Sequence, residues 1–233
     1  MPNPHTPAAE SFFSSELARR YDERNSELGE LSAGMHFAIR LVLDDLPSDA
    51  RILCIGVGTG AEILSLARSH ADWRFVGVDP SAEMLAVCRE KLTSAGLLDR
   101  CELITGYIDD VPADKGFDAI VTVMVAHFIS RDDRPNFYRN VYDRLRSSGY
   151  FVSTEISADL EAADFPPMLR DWARIQALMG ATPEALRNLP MILRNELSLL
   201  SPEATEQLLQ ETGFNPPIQF FQTFLVHGWY STK

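Results

Sequence analysis

The pattern of apolar and polar positions along the chain alternates between two periods. Short runs of branched apolar residues at 51–55 and 74–78 have the length and composition of buried strands. The segment 61–70 between them repeats its apolar residues every three or four positions, which is typical of a helix. A strand, a helix and a second strand therefore follow one another, as in the repeating units of α/β proteins.

The same two periods predict the elements of the remaining chain. Further strands are predicted at 101–105, 117–122 and 150–155, and further helices at 11–31, 33–46, 82–95, 133–145, 165–179 and 183–199. Ser201 followed by Pro202 predicts one more helix start, since serine caps helices and proline suits the first helical position. Strands at 217–221 and 224–230 are separated by two residues, and so short a connection requires an antiparallel hairpin.

Three glycines stand at alternate positions between the first strand and the first helix of the unit. They are Gly56, Gly58 and Gly60. Glycine permits positive φ angles and close approach of a ligand to the backbone, and the helix start offers free N–H groups. An ordinary tight turn is the alternative, but three alternating glycines favour a site for a nucleotide-like ligand.

An acidic residue ends the second strand. Asp79 lies 19 residues after Gly60, where strand–helix–strand nucleotide folds place a carboxylate that accepts hydrogen bonds from both ribose hydroxyls. The alternative role for Asp79 is a helix cap. Ser81 can take that role, which leaves Asp79 for the ribose.

Five segments in chain order resemble the motifs of the class I S-adenosylmethionine-dependent methyltransferases. They are RILCIGVGTG at 51–60, VGVDPSAEML at 76–85, TGYIDDVP at 105–112, FDAIVTVMVAHFI at 117–129 and LRSSGYFVSTE at 145–155. A dinucleotide-binding domain is the alternative, since Gly56, Gly58 and Ala61 satisfy a loose G-x-G-x-x-G/A pattern. The antiparallel hairpin at the C-terminus favours the methyltransferase, because a simple dinucleotide-binding domain is not expected to end in that way.

The resemblance implies an α/β fold: a doubly wound, Rossmann-like sheet of seven strands with a C-terminal antiparallel hairpin, an N-terminal helical lid and a helical insert. The lid would span 1–50, the cofactor-binding core 51–155, the insert 156–200 and the end of the core 201–233. A weaker resemblance, to the bacterial carboxymethoxyuridine-tRNA synthase group, implies a homodimer. Pro190 stands where that group uses an arginine to hold the carboxylate of its carboxylated cofactor, so that cofactor is not expected here.

S-adenosylmethionine is the cofactor that the resemblance implies. The residues assigned to it are Gly56, Gly58, Gly60, Asp79, Pro80, Tyr107, Ile108, Asp109 and Met124. Many family members have an acid directly after the glycine of the adenine loop, whereas this chain has Tyr107. His127, Tyr21 and Trp172 are the candidates for catalytic roles near the acceptor. Packing is an equal alternative for Tyr21, and a structural role in its loop is favoured for His127.

Composition and net charge limit which binding partners and which cellular location are expected. The formal net charge of −12 argues against a nucleic-acid substrate, which needs clustered Lys and Arg for its phosphates. The isolated Cys54, Cys88 and Cys101 are expected to be core residues in a reducing compartment, with no disulfide and no metal site. No apolar run has the length of a membrane span and no secretory signal is visible, so a cytoplasmic location is expected.

Methyl transfer to a small-molecule acceptor is the favoured function, and one residue departs from the family pattern. Motif I normally has an acid two residues before its first glycine, where this chain has Cys54. Either Asp79 and Glu155 compensate, which is favoured, or S-adenosylmethionine is itself the substrate and its amine closes an azetidine ring with release of methylthioadenosine. Modification of a tRNA wobble uridine and a non-catalytic cofactor-binding subunit are the remaining alternatives.

Overall fold

The structure is a computed structural model that describes residues 22–23, 26–113 and 116–233. Within these residues, seven strands form one sheet: β1 Arg51–Ile55, β2 Arg74–Asp79, β3 Cys101–Thr105, β4 Phe117–Val123, β5 Leu145–Ile156, β6 Ile218–Thr223 and β7 Val226–Thr232. The α-helices of the same residues are α1 Gly29–Val42, α2 Ala61–Ala67, α3 Ala82–Ser94, α4 Arg134–Arg144, α5 Phe165–Leu178, α6 Pro183–Asn195 and α7 Pro202–Glu211.

The sheet order is β3-β2-β1-β4-β5-β7-β6. The first five strands run parallel, and β7 lies antiparallel between β5 and β6. This confirms the predicted seven-stranded Rossmann-like sheet with its C-terminal antiparallel hairpin. Because β1 is flanked by β2 and β4, the strand order reverses at β1, and the crevice at the carboxyl ends of these strands is the ligand position of such sheets.

The core lies on both faces of this sheet, because strands buried on both sides carry apolar residues at successive positions. β4 shows this best: its first six residues, from Phe117 to Thr122, are all buried. One cluster includes Ile39 of α1, Ile63 of α2 and Trp172 of α5, and the other includes Tyr138 of α4 and Leu209 of α7. The N-terminal helix and the insert therefore pack on the same side of the sheet.

The N-terminal helices differ from the predicted ones. A single helix α1 covers Gly29–Val42, so the predicted break between 31 and 33 was wrong. Ser32 resembles a helix cap in the sequence, but its hydroxyl lies 3.3 Å from Nδ1 of His36 within the helix instead. Most of the first predicted helix lies outside the described residues.

The hairpin turn lies two residues later than predicted. β6 runs to Thr223, which pairs with Val226, so Phe224 and Leu225 form the turn in place of residues 222 and 223. Leu225 is fully buried and its carbonyl accepts a hydrogen bond from the N–H of Ser157 at 2.9 Å. Holding that apolar residue in the core places Phe224 at a φ of 51°, which the sequence pattern did not indicate.

The helical insert follows β5, as predicted, and its two helices begin at the predicted residues. α6 ends at Asn195 rather than near 199, and residues 198–200 have no regular secondary structure. Within that segment Leu199 is buried, the N–H of Ser198 donates to the carbonyl of His127 at 2.9 Å, and the carbonyl of Leu200 accepts from Ala158. The insert is thus fastened over the carboxyl ends of β4 and β5.

Candidate functional site

The glycine turn between β1 and α2 has a left-handed backbone at each of its three glycines. The φ angles are 66° at Gly56, 50° at Gly58 and 83° at Gly60. A Cβ atom at Gly56 would overlap the side chain of Val125, and one at Gly60 would lie 2.6 Å from Sγ of Cys88. At Gly58 the nearest side-chain atom would be Met84 Cε at 3.2 Å, so packing restricts this middle glycine least. A Cβ atom would be crowded at all three positions, so the turn depends on glycine throughout.

Asp79 joins the glycine turn to the start of α3. Its Oδ2 accepts a hydrogen bond from the N–H of Gly58 at 2.8 Å, and its Oδ1 accepts from the N–H of Ser81 at 2.9 Å. Ser81 is the helix cap, as predicted: its Oγ accepts from the N–H of Met84 at 3.2 Å. A carboxylate accepts about four hydrogen bonds, so Asp79 retains capacity for two hydroxyl donors. Burial raises the pKa of this carboxyl group above its ordinary value.

The loop after β3 is held by hydrogen bonds next to Asp79, at the same edge of the sheet as the glycine turn. The N–H of Gly106 donates to the carbonyl of Asp79 at 3.0 Å, and the N–H of Tyr107 donates to Asp110 Oδ2 at 2.8 Å. Ile108 is buried, whereas Asp109 is exposed. Asp110, which was not among the predicted site residues, therefore shapes the loop, and its place three residues after Tyr107 in a turn is the signal that could have indicated it.

Met124 follows β4 with a φ of 58°, which is uncommon for a residue with a side chain. Its N–H donates to the carbonyl of Thr154 on β5 at 2.7 Å. Strained residues of this kind concentrate at functional sites. The next residue, Val125, is the one that excludes a side chain at Gly56, so the ends of β1 and β4 are packed against each other.

Glu62 is the residue that the sequence analysis missed. It lies in the first turn of α2, only 5% exposed, directly beyond the glycine turn. Burial raises the pKa of its carboxyl group to about 8, and the negative charge of Asp79 adds to the rise. The signal in the sequence was an acid two residues after Gly60 in a chain whose motif I position holds Cys54.

The N-terminal segment contacts the glycine turn through Asp22. The hydroxyl of Thr59 donates to Asp22 Oδ1 at 2.9 Å, and Nζ of Lys91 lies 2.9 Å from Asp22 Oδ2. Lys91 also donates to the hydroxyl oxygen of Thr59 at 3.2 Å. The predicted Tyr21 lies outside the described residues, but its neighbour Asp22 contacts the glycine turn through Thr59.

His127 is buried beneath the insert. Its Nδ1 accepts a hydrogen bond from the N–H of Ile156 at 3.2 Å, so the ring is neutral with its proton on Nε2. Burial, aided by the positive charge of Arg134, lowers the pKa of His127 to about 3. A group with so low a pKa is a weak base at neutral pH, and its contacts are those of a residue that orders the loop after β4.

Glu155 does not lie free to compensate for the missing acid of motif I. It is fully buried and forms an ion pair with Arg134, whose Nη1 lies 2.7 Å from Glu155 Oε2. The hydroxyl of Tyr138 donates to Glu155 Oε1 at 3.3 Å, and Nη2 of Arg134 donates to the carbonyl of Ser198. The expectation that Glu155 serves the methionine end is therefore wrong, because its charge is used to fasten the insert.

The two insert residues singled out from the sequence have different surroundings. Trp172 is 5% exposed and packs in the core cluster that also contains Ile175 and Leu189. Pro190 lies inside α6 with an exposed side chain. No group of three or more His, Cys, Asp or Glu residues in the described part of the chain is arranged to hold a metal ion. The helices of that part include none long and apolar enough for a membrane crossing.

The arrangement fits a nucleoside joined to an amino acid. Pro80 follows Asp79 at the crevice edge, so the glycine turn, Asp79, the loop 106–110 and Met124 line one continuous edge at the carboxyl ends of β1 to β4. The lack of a side chain at Gly58 suits close approach of a ligand to the backbone, and the hydrogen-bonding capacity left on Asp79 suits ribose hydroxyls.

Comparison with known proteins agrees with this geometry. Residues 52–149 match the methyltransferase domain family. A carboxy-S-adenosyl-L-methionine synthase of Yersinia pseudotuberculosis is 22% identical over 206 residues, which is 87% of this chain and 86% of that protein. A demethylmenaquinone methyltransferase of Roseiflexus castenholzii is 27% identical over 214 residues, which is 86% of this chain and 83% of that protein.

Among solved structures, a Nostoc punctiforme protein assigned as an O-methyltransferase superposes with a TM-score of 0.69 at 16% identity. The match covers 94% of this chain and 59% of that one, so this chain spans less than two thirds of its length. PigF with S-adenosylhomocysteine superposes with a TM-score of 0.62 at 20% identity, covering 88% of this chain and 56% of PigF. At these identities the superpositions establish a shared fold.

Proposed function

We propose that this chain is a class I S-adenosylmethionine-dependent methyltransferase and that it transfers the sulfonium methyl group to a small-molecule acceptor; the match of residues 52–149 to the methyltransferase domain family supports this. S-adenosylmethionine is the cofactor of this family. The observation that supports the assignment most strongly is the hydrogen bond from Gly58 to Asp79, because it joins the glycine turn and the ribose acid into one unit at the point where the strand order reverses.

Each part of the site has a distinct task in this proposal. The turn at Gly56, Gly58 and Gly60 receives the methionine end, Asp79 receives the ribose hydroxyls, and the loop from Tyr107 to Asp109 receives the adenine. The cofactor supplies an already activated methyl group, so the protein contributes mainly orientation and exclusion of water. A strong base is not required, which is consistent with the low pKa of His127.

The acceptor side favours a small molecule over a nucleic acid. The formal net charge of −12 gives no general attraction for phosphates. Arg194 of the insert is paired with Glu161 at 2.6 Å and Arg174 with Asp171 at 2.6 Å, so these two arginines do not form a basic patch. His127 lies under the insert and Trp172 is a buried residue of its helix α5; we propose that both shape the acceptor pocket and do not exchange protons with the acceptor.

Transfer of an isotope-labelled methyl group tests the function. The purified protein is incubated with methyl-labelled S-adenosylmethionine and a metabolite extract, tRNA or a protein fraction in separate reactions. We expect label in the small-molecule reaction only, with one S-adenosylhomocysteine formed per methyl transferred. Label in tRNA would overturn the proposal, and absence of turnover in every reaction, with cofactor bound, would favour the non-catalytic subunit.

Consumption of the cofactor itself is the second candidate, and the neutral thiol at Cys54 favours it. Burial raises the pKa of Cys54 well above its ordinary value, so this position offers no carboxylate to keep the methionine amine protonated. A free amine would form a bond to its own Cγ as the Cγ–S bond breaks, and the sulfonium would leave as neutral methylthioadenosine. Incubation of the protein with S-adenosylmethionine and no acceptor distinguishes methyl transfer from cyclisation. Formation of methylthioadenosine together with azetidine-2-carboxylate supports cyclisation, and the absence of both products excludes it.

We also propose a homodimer formed through the insert, in a reducing, cytoplasmic compartment. Leu178 of α5 and Met191 of α6 are 62% and 51% exposed, and we propose that both side chains are buried at the interface between the two copies. The three cysteines are free thiols, as expected in a reducing environment. Light scattering should give twice the chain mass, and Leu178→Glu together with Met191→Glu should give the monomer. A monomer without these changes would contradict the proposal.

A further inference from the structure

The glycine turn is preceded by a thiol and followed by a buried acid. Cys54 on β1 stands where motif I normally has its acid, and Glu62 in the first turn of α2 is an acid with 5% exposure. Charged residues are almost never fully buried unless they are paired. Among the described residues no lysine or arginine lies within ion-pair distance of Glu62, and its carboxyl group accepts a hydrogen bond from its own N–H.

The groups around Glu62 come from each element packed against it. Burial raises the pKa of the Cys54 thiol, and the negative charge of Glu62 adds to the rise. The charge of Asp79 on β2 raises the pKa of Glu62 further, and the charge of Lys91 on α3 lowers it. On the outer side, Arg40 of α1 donates to Ser65 Oγ, one turn further along α2.

We propose that Glu62 replaces the missing acid of motif I and positions the ammonium group of the methionine end of S-adenosylmethionine. The carboxylate has moved from the end of β1 to the start of α2, and it remains at the same turn. Glu62 is a positioning residue in this proposal: it acts through the turn and through its charge. The inference rests on the proposed cofactor, because it concerns the same site.

Binding of the cofactor should change the protonation of Glu62. In the cofactor-free protein Glu62 is mostly protonated at pH 7, because burial raises its pKa to about 8. An ammonium group placed near it favours the ionised carboxylate. Binding of a ligand with that ammonium group should therefore release a proton to the buffer, whereas a ligand without the amino acid should release none.

Titration calorimetry on Glu62→Gln tests the inference with two ligands. S-adenosylhomocysteine carries the amino acid, and methylthioadenosine carries only the nucleoside part. We expect Glu62→Gln to weaken S-adenosylhomocysteine binding at least tenfold and to change methylthioadenosine binding less than twofold. Glu90→Gln, an exposed acid on α3, is the matched control and should change neither. An equal loss for both ligands, or no loss, would overturn the inference.

Moving the acid back provides a second variant. Cys54→Asp combined with Glu62→Gln restores the family arrangement and should recover most of the lost affinity for S-adenosylhomocysteine. A double variant that folds, as judged by its thermal unfolding, and binds no better than Glu62→Gln would count against the inference. The recovery also separates positioning from a structural role, since a merely structural glutamate would not be replaced by an aspartate on another element.

The unmodified protein gives an answer even if both variants fail to fold. Calorimetry at pH 7 in two buffers of different ionisation enthalpy measures the protons released on binding. We expect proton release with S-adenosylhomocysteine and none with methylthioadenosine; equal release for the two ligands would overturn the role of Glu62. If neither ligand binds, the cofactor assignment itself fails, and this outcome is distinct from binding without a difference between the ligands.

Discussion

The two halves of the crevice are built in different ways. At the carboxyl ends of β1 and β2, the glycine turn and Asp79 are held by backbone conformation and by hydrogen bonds within one βαβ unit. At the ends of β4 and β5, the insert is fastened by buried side chains that reach across long stretches of chain, above all Arg134 with Glu155 and Ser198. The first half therefore depends on local conformation, and the second depends on burial and charge pairing.

The largest effect should come from breaking the ion pair of the second half. Arg134→Met leaves the Glu155 carboxylate buried without its cation, which should lower the free energy of unfolding by about 3–5 kcal/mol. Urea unfolding measures the loss. Arg134→Met combined with Glu155→Leu should recover most of it, whereas Arg174→Met, in an exposed pair with Asp171, should change stability by less than about 1 kcal/mol. A loss below about 1 kcal/mol for Arg134→Met would mean that the pair does not hold the insert.

The next effect concerns backbone conformation in the first half. Gly60→Ala places a side chain at a φ of 83° and 2.6 Å from Cys88 Sγ. The left-handed conformation costs about 1–2 kcal/mol and the overpacking about 1–3 kcal/mol more. Gly96→Ala is the matched control, because Gly96 has a φ of 69° with nothing within 4 Å of its added Cβ, and it should show only the conformational part. Equal losses of unfolding free energy for Gly60→Ala and Gly96→Ala, measured by urea unfolding, would show that the side chain of Cys88 moves aside.

The pH dependence of stability should have opposite signs in the two halves. Glu62 has its pKa raised from 4.5 to about 8, so the folded state holds the extra proton and stability falls as pH rises between these values, by up to about 1.4 kcal/mol per unit. His127 has its pKa lowered from 6.5 to about 3, so stability falls as pH drops below 6.5.

Between pH 6.5 and 8, the change of stability with pH therefore reports mainly on Glu62 and not on His127. Glu62→Gln should remove a fall of about 1–2 kcal/mol in this window, measured by urea unfolding of the cofactor-free protein at both pH values. The pKa of Asp79 is also raised, as that of Glu62 is. The pH profile of the variant is therefore compared with that of the unmodified chain, in which Asp79 is the same. Parallel pH profiles for the two proteins would contradict the raised pKa of Glu62.

The smallest effect should come from the exposed surface of the insert. Arg194 is 46% exposed and pairs with Glu161, which is 80% exposed, so solvent screens the attraction. Arg194→Gln should change the free energy of unfolding by less than about 1 kcal/mol, with a smaller change in 0.5 M salt. A loss as large as that of Arg134→Met would show that surface contacts, and not the buried pair, fasten the insert.

Local signals in the sequence predicted the fold and the conformation of the glycine turn well. β3 was predicted with its observed bounds, the Ser81 and Ser201 caps were predicted, and the residues Gly56 to Gly60 form the expected turn with positive φ angles. The sequence analysis failed where a residue's role depends on distant partners. It named Glu155 with Asp79 as acids that could compensate for Cys54, although Glu155 is paired with Arg134, and it overlooked Glu62 because an acid in a first helical turn is usually an exposed residue.

The sequence by itself determined the order of strands and helices, the left-handed glycine turn and the acid at the end of β2. The physical reason is that backbone preference, helix capping and apolar periodicity act over a few residues, within reach of a motif. Only the tertiary structure decided that Glu62 is buried, that Arg134 fastens the insert and that Leu225 moves the hairpin turn. Burial and charge pairing depend on which elements pack together, and those contacts join residues far apart in the chain.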